Sequence, residues 1–172
     1  LQFRLVIELL AISILGLGSV AVWAGWQMEQ NLVVAHKQTL EYIAMRFPEQ
    51  YEMYSQEKSL ETGLKRAIKR VSTPGLVIWV ENSHGQLLAQ SANIDSSLFE
   101  IEVVKSLAEV PKKPQIVRFA GRDIVLCGSL LTLQGKPLGK LYLSQDITAD
   151  LRKLNTGLWQ LSLISIVTIT LL

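Results

Sequence analysis

The most constraining feature of the sequence is an uncharged stretch near its N-terminus, Leu9–Trp26, with the sequence LLAISILGLGSVAVWAGW. As an α-helix, a stretch of this length spans about 27 Å, close to the roughly 30 Å hydrocarbon core of a bilayer. A helix satisfies its own backbone hydrogen bonds in lipid, and Trp23 and Trp26 lie where interfacial aromatic residues are common. We therefore predict that residues 1–26 form a first transmembrane helix in the lipid bilayer.

A second apolar run, LWQLSLISIVTITLL, occupies Leu158–Leu172. It predicts that residues 157–172 begin a second transmembrane helix, which we expect to continue past Leu172. Arg4 precedes the first span and favours a cytoplasmic N-terminus, so the residues between the spans are expected outside the cytoplasm. A cleaved signal peptide ending near Val22-Trp23-Ala24 is the alternative, but the apolar run is longer than the usual apolar core of such peptides.

The segment between the apolar runs, residues 27–156, has the composition and length of one compact domain. It carries every charged residue except Arg4 and Glu8, and the formal net charge of the chain is only +2. This balance argues against a nucleic-acid partner. Cys127 is the single cysteine, so no disulfide within the chain is possible and cysteine usage does not indicate the compartment.

Two helices are predicted in the first half of this domain. From Gln27 the sequence has no helix breaker before Pro48, and it carries an apolar seam at helical spacing, Val33, His36, Leu40, Ile43 and Phe47. The favoured interpretation is that this seam packs on the domain's own sheet; the alternative is that it faces the same helix of a second subunit. Pro48 is predicted to end this helix, and Glu49–Glu57 is predicted to be a polar connector. Ser59–Val71 is predicted as a second helix with a basic outer face, which is solvated or, as the alternative, meets anionic lipid or an acidic partner.

The rest of the domain has the two-residue period of strands. We predict strands at Leu76–Val80, Gln86–Ala89, Gln115–Ala120, Asp123–Gln134 and Leu138–Ser144. A helix from Asp95 or Ser96 to about Val110 interrupts them, the later turns are assigned to Gly121-Arg122 and Gly135-Lys136-Pro137, and a linking helix covers Asp146–Asn155. Tight turns between consecutive strands predict an α+β fold with an antiparallel five-stranded sheet and helices on one face.

The order of these elements resembles the extracytoplasmic PAS-like domains, called PDC or single Cache, of bacterial sensor histidine kinases and chemoreceptors. The resemblance is carried by LVIWVENSHGQLLAQS, at Leu76–Ser91, and by GKLYLSQDIT, at Gly139–Thr148. In the family the last strand commonly ends in an Asp, a branched apolar residue and Thr or Ser before the output helix. Asn82 and Ser83 stand where the family often has Asp. The resemblance implies a homodimer and a ligand pocket between the sheet and its covering segments.

Five residues are candidates for contacting a ligand in such a pocket: Trp79, Arg118, Arg122, Asp123 and Tyr142. The guanidinium of Arg118 has the forked geometry that clamps a carboxylate. Each residue also has a structural alternative, in which Trp79 is core, the arginines are solvated at the sheet edge, and Asp123 pairs with Arg122. Alternation places Trp79 on the same face as Val77, and Tyr142 on the face opposite Leu141 and Leu143.

No enzyme signature lies between the apolar runs: the sequence has no GxSxG, HExxH, Walker-type loop or CxxC pair. We expect no catalytic residue, metal or cofactor in these residues. A histidine kinase needs a phosphoacceptor His and an ATP-binding domain, so such chemistry would lie past Leu172.

The favoured hypothesis is therefore a transmembrane sensing module of the inner (plasma) membrane, the input half of a two-component histidine kinase. Its partner is an unknown small ligand or protein. The alternatives are the input domain of a chemoreceptor or cyclic-dinucleotide enzyme, or a partner-binding membrane module without signalling. A membrane-anchored hydrolase is disfavoured because no nucleophile–base pair is present.

Overall fold

The computed structural model describes residues 2–56, 59–91, 102–107 and 109–171. The chain forms two compact units. One consists of Leu1–Val34 and Ala149–Leu172, and the other of Ala35–Thr148.

The first unit contains apolar helical segments. Helix α1 (Gln2–Tyr54) runs without interruption from the apolar stretch to residue 54, and helix α3 (Thr148–Leu171) carries the C-terminal apolar run. The two helices touch at Gly25, where an added Cβ would lie 2.7 Å from Cδ1 of Leu158. Among the described residues, α1 alone has the length and hydropathy of a membrane span, and its apolar window is not buried. A signal sequence meets the same criteria, and the second span stays a prediction, as do the domain boundaries.

The prediction that Pro48 ends the first helix is wrong, as is the polar connector proposed just after it. Pro48 lies inside α1, which continues to Tyr54. An internal proline costs a helix about 3 kcal/mol, because it removes one hydrogen bond and crowds the carbonyl four residues earlier. Phe47 and Tyr51 are both fully buried on either side of the proline. Their burial in the core holds the next helical turn in place despite that cost.

Helix α2 (Leu60–Val71) confirms the second predicted helix. Ser59 is its N-cap, and the Ser59 hydroxyl accepts a hydrogen bond from Thr62 N at 3.2 Å. Leu64, Ala67 and Ile68 are buried. On the exposed side, Lys65 Nζ lies 2.5 Å from Glu61 Oε1, and this hydrogen bond lowers the pKa of the Glu61 carboxyl.

The second unit confirms the α+β fold with an antiparallel five-stranded sheet. Its strands are β1 (Leu76–Glu81), β2 (Leu87–Gln90), β3 (Gln115–Phe119), β4 (Arg122–Leu133) and β5 (Lys136–Asp146). The order across the sheet is β2-β1-β5-β4-β3, and every neighbouring pair is antiparallel. The long central pair β4 and β5 places β1 and β3 on its two sides.

The hairpin turns lie one residue earlier than predicted. Ala120 and Gly121 have φ of 47° and 74°, and Gln134 and Gly135 have φ of 49° and 78°. Two consecutive residues with positive φ form the turn whose twist matches a two-residue hairpin. Arg122 and Lys136 therefore belong to strands, and only the glycines were correctly assigned to the turns.

Both faces of the sheet are covered, which corrects the prediction of helices on one face. Helix α1 lies on one face, where His36 Nδ1 is 3.1 Å from Gln145 Oε1 and the Glu41 charge acts on Cys127. Leu40, Ile43 and Phe47 are buried within the chain, so the alternative that this part of the seam faces a second subunit is wrong. Residues 102–106 are helical; the predicted start of that helix at Asp95 or Ser96 lies outside the described residues.

Candidate functional site

The face of the sheet turned away from α1 carries three of the five predicted site residues, Trp79 and Tyr142 at its centre and Arg122 at its end. We call it the Trp79 face. Its centre consists of Val77, Trp79, Ile124, Leu126, Gly128, Tyr142 and Ser144. Strand register sets this grouping, because Trp79 pairs with Tyr142, Tyr142 with Gly128, and Ser144 with both Val77 and Leu126. The prediction that Trp79 shares a face with Val77 is confirmed, as is the prediction that Tyr142 lies on the face opposite Leu141 and Leu143.

Trp79 and Tyr142 form the aromatic centre of this face. Their ring centroids are 5.2 Å apart with an interplanar angle of 22°, which is a stacked pair. Trp79 is 0% exposed and Tyr142 is buried. Burial, with a contribution from the charge of Glu81, raises the pKa of the Tyr142 hydroxyl, so it stays protonated at neutral pH.

The short helix at residues 102–106 and the segment after it cover the aromatic pair. Val103 is buried in the same cluster, and Leu107 and Val110 pack against it. Gly128 N donates a hydrogen bond to Pro111 O at 2.9 Å. A Cβ on Gly128 would lie 2.9 Å from Val110 Cγ1, closer than such atoms approach. Glycine at position 128 therefore allows the segment that contains Val110 to pack against the sheet.

Two buried hydrogen-bonding groups on the Trp79 face have no partner among the residues that the structure describes. They are Nε1 of Trp79 and the hydroxyl Oγ of Ser144, both in residues that are 0% exposed. Buried polar atoms in folded proteins almost always have a partner, because an unpaired one retains its full desolvation cost. A pair of such atoms on one face therefore marks a place where a hydrogen-bonding partner would be stabilised.

Removing the Ser144 hydroxyl is expected to stabilise the fold. Ser144→Ala should raise the free energy of unfolding by about 1–3 kcal/mol, because it deletes an unpaired buried polar atom. Ser91→Ala is the matched control, since the Ser91 hydroxyl is buried but accepts a hydrogen bond from Ile78 N at 3.1 Å. Urea unfolding of the chain in detergent should give opposite signs for the two variants. Equal destabilisation by both would contradict the assignment.

Arg118 and Asp123 lie on the other face of the sheet, at its edge. Arg118 Nε and Nη2 donate to the two carboxylate oxygens of Asp123 at 2.7 and 3.2 Å. The side chain of Arg118 is 77% exposed and that of Asp123 only 16%. The fork of Arg118 thus binds a carboxylate of the chain itself, the prediction that it binds a ligand stays a prediction, and the structure does not bring these two residues to Trp79.

Arg122 lies on the same side as Trp79 but at the end of the sheet. Its Nη1 is 3.8 Å from Asp146 Oδ2, and both side chains are partly exposed. The predicted alternative that Asp123 pairs with Arg122 is wrong, because strand register sets Asp123 directly opposite Arg118. The five candidates therefore lie in three places. Trp79 and Tyr142 stack at the centre of the Trp79 face, Arg122 lies at the end of that face, and Arg118 and Asp123 form an ion pair on the opposite face.

The start of β4 is bonded to the first residue of α3 by what we call the Asp123–Thr148 clasp. Asp123 N donates to Thr148 Oγ1 at 2.9 Å, and Ile147 N donates to Asp123 O at 3.0 Å. Asp146 Oδ1 accepts from Thr148 N at 2.9 Å and so caps the helix. The Asp-Ile-Thr step noted in the sequence is thus a hydrogen-bonded junction between sheet and helix.

Sequence reasoning missed Ser144, Gly128 and Thr148. Ser144 had a visible signal, since it is a polar residue two positions from Tyr142 and directly follows the apolar run Leu141–Leu143. Gly128 and Thr148 act through backbone contacts with distant residues, which spacing alone does not indicate.

Among the residues that the structure describes, no group of three or more His, Cys, Asp or Glu side chains is arranged to hold a metal ion. The prediction of no metal or cofactor stays a prediction. Cys127 is buried on the α1 face, and burial, with the charge of Glu41, raises its pKa to about 12.

The fold is the PAS-like arrangement that the sequence predicts, a five-stranded antiparallel sheet with a long N-terminal helix. No protein-family model matches the sequence, and no curated protein matches it. Solved structures that resemble the chain include a periplasmic domain, the sensor domain of a histidine kinase and the ligand-binding domain of a chemoreceptor.

Three of these structures illustrate the likeness. The periplasmic domain of Vibrio cholerae LuxQ is 15% identical, with a TM-score of 0.41 over 71% of this chain and 67% of that one. The sensor domain of the zinc-responsive histidine kinase CzcS from Pseudomonas aeruginosa is 15% identical, with a TM-score of 0.27 over 63% and 93%. The ligand-binding domain of Campylobacter jejuni chemoreceptor Tlp3 with L-norvaline is 11% identical, with a TM-score of 0.36 over 72% and 59%.

Proposed function

We propose that the chain is a transmembrane signal-sensing module, the input half of a two-component histidine kinase. A stimulus received outside the cytoplasm passes through the membrane helices to a kinase domain outside these 172 residues. The observation that carries the proposal is the Asp123–Thr148 clasp, which ties the sheet directly to the first residue of the helix that continues into the C-terminal apolar run.

The clasp supports signalling because it links strand β4 of the Trp79 face to the start of helix α3. Asp123 begins the long strand β4, whose residues Ile124, Leu126 and Gly128 form part of the Trp79 face. A change on that face that shifts β4 also moves the backbone groups bonded to Ile147 and Thr148. A ligand transmits a signal in this way when it binds one arrangement of the junction more tightly than the other.

The membrane location is supported by α1. Its apolar window has a mean hydropathy of 2.4 and is not buried within the chain, so lipid is the environment that suits its surface. The helix continues without a break to Tyr54, and Arg4 precedes the apolar stretch. We infer a cytoplasmic N-terminus, an inner (plasma) membrane location and a sheet unit outside the cytoplasm.

Thiol labelling in intact cells tests the orientation. Ser83→Cys places a thiol at the exposed turn between β1 and β2, and Phe3→Cys places one at an exposed position before the apolar stretch while keeping Arg4. Cys127 is a built-in negative control, since it is buried and its pKa is raised to about 12. A membrane-impermeant maleimide should label Ser83→Cys in intact cells and Phe3→Cys only after lysis. The reverse pattern would contradict the proposed orientation.

The kinase assignment is tested by the output of the full-length protein. In nanodiscs supplied with ATP, it should become phosphorylated on histidine, and the phosphoryl group should be acid-labile. Correct membrane orientation without any phosphorylation would retain the sensing module and replace the kinase with a chemoreceptor or cyclic-dinucleotide output.

A further inference from the structure

The two unpartnered polar atoms of the Trp79 face lie near each other in the strand register. Ser144 is directly opposite Val77, and Trp79 is two residues further along the same strand. Side chains related by this diagonal step project from the same face, one pleat apart. Trp79 Nε1 can only donate a hydrogen bond, whereas the Ser144 hydroxyl can donate or accept. A single acceptor atom placed over this part of the sheet would suit both.

Charged side chains stand only at the two ends of this face among the described strand residues. Glu81 and Lys140 are cross-strand partners at one end, and Arg122 and Asp146 lie 3.8 Å apart at the other. The centre between them carries apolar residues, the stacked Trp79 and Tyr142, and Ser144. A carboxylate or ammonium group brought to that centre would lose its hydration without gaining a countercharge.

The residues that pack over the Trp79 face are also apolar. Val103 is buried in the cluster, and Val104, Leu107 and Val110 pack against it. An occupant that separates the cover from the sheet therefore meets apolar surface on both sides. The binding energy comes from apolar contact, and the two unpaired donors fix the orientation of one polar atom.

We propose that the Trp79 face binds an uncharged small molecule that has an apolar body and one acceptor oxygen, such as a ketone, ester or lactone. The acceptor oxygen takes hydrogen bonds from Trp79 Nε1 and the Ser144 hydroxyl. This inference rests on the proposed sensing function and adds the chemical class of the ligand. It excludes free amino acids and organic acids as direct ligands of this face.

Three probe compounds that share the same carbon skeleton test the proposed chemical class of the ligand. They are 4-methyl-2-pentanone, which is neutral with one acceptor, 4-methylpentanoate, which is an anion, and leucine, which is a zwitterion. Binding is measured with the full chain in nanodiscs as protection of Cys127 from thiol labelling in mild urea, since this buried thiol reacts when the sheet opens. A ligand at ten times its dissociation constant slows labelling about elevenfold. Only the ketone should do so.

Two conservative variants locate the site. Trp79→Phe keeps an aromatic ring but removes the donor, and Ser144→Ala removes the hydroxyl. Each should weaken ketone binding about 2- to 10-fold, the range for one neutral hydrogen bond. Trp159→Phe is the matched control, because Trp159 is 68% exposed on α3, and its protection by the ketone should equal that of the wild type.

The outcomes separate this inference from the proposed function. Protection by 4-methylpentanoate or leucine, lost in Trp79→Phe, would overturn the ligand class and leave direct sensing intact. Equal ketone protection in the wild type and both site variants would overturn the site. Protection by no probe would also overturn the inference, whereas the proposed function is decided independently by the labelling and phosphorylation experiments.

Discussion

Replacing Trp79 with alanine is expected to destabilise the sheet unit by about 3–5 kcal/mol, the range for truncating a large buried aromatic residue. Trp79 is fully buried, stacks on Tyr142 at 5.2 Å, and is packed beneath Val103. The substitution removes the largest side chain of the cluster and leaves a cavity that its neighbours cannot fill by small shifts. Loss of the unpaired indole N–H offsets part of this cost.

Cys127 provides the measurement, since it is the single thiol of the chain and is buried on the opposite face. Its labelling rate reports the population of opened molecules when closing is faster than labelling. Trp79→Ala should accelerate labelling at least about 100-fold. Trp159→Ala is the control at an exposed tryptophan. Similar labelling rates for the two variants would contradict the placement of Trp79 in the core.

Thr148→Val is expected to remove the side-chain hydrogen bond of the clasp while leaving the fold intact. Valine has nearly the shape of threonine but no hydroxyl, so the Asp123 N–H loses its acceptor at 2.9 Å. An unpaired backbone donor in this partly buried position should cost about 1–3 kcal/mol. The Asp123 amide should also exchange with solvent faster, which hydrogen-exchange mass spectrometry of the β3–β4 peptide measures.

The matched control for the clasp is Thr156→Val on the same helix. The Thr156 hydroxyl donates to Arg152 O at 2.9 Å and accepts from no backbone group among those described, so its loss leaves no amide unpaired. Its effect on exchange at Asp123 should be negligible. Exchange that is equally slow in Thr148→Val and wild type would mean that the hydroxyl does not hold this junction.

Local patterns in the sequence predict most of the fold. The alternation of Val77, Trp79 and Tyr142 assigns their faces correctly, because one buried face fixes the register of a strand. The glycines after Ala120 and Gln134 indicate the hairpins, but the turns begin one residue earlier than glycine alone suggests. The second helix is also found at its predicted place, and the Ser59 hydroxyl caps it by a local hydrogen bond from Thr62 N.

The errors arise where distant contacts decide the outcome. Pro48 has the local signature of a helix end, and burial of Phe47 and Tyr51 against the core overrides it. The sequence favours a pair between the neighbours Arg122 and Asp123, whereas the structure pairs Asp123 with Arg118. The reason is that Asp123 lies directly opposite Arg118 across the hairpin. Ser144 carries a polar signal in the sequence, but its lack of a partner is visible only once the sheet is assembled.

The most direct test of the account is the output of the full-length protein in nanodiscs, measured as the histidine phosphorylation rate for wild type, Thr148→Val and Thr156→Val. If the clasp couples the sheet to the exit helix, Thr148→Val should shift the basal rate several-fold and abolish any response to ligand. Ligand binding at Trp79 should persist in that variant, and Thr156→Val should behave as wild type. A wild-type rate and a wild-type response in Thr148→Val would contradict the proposed route of the signal.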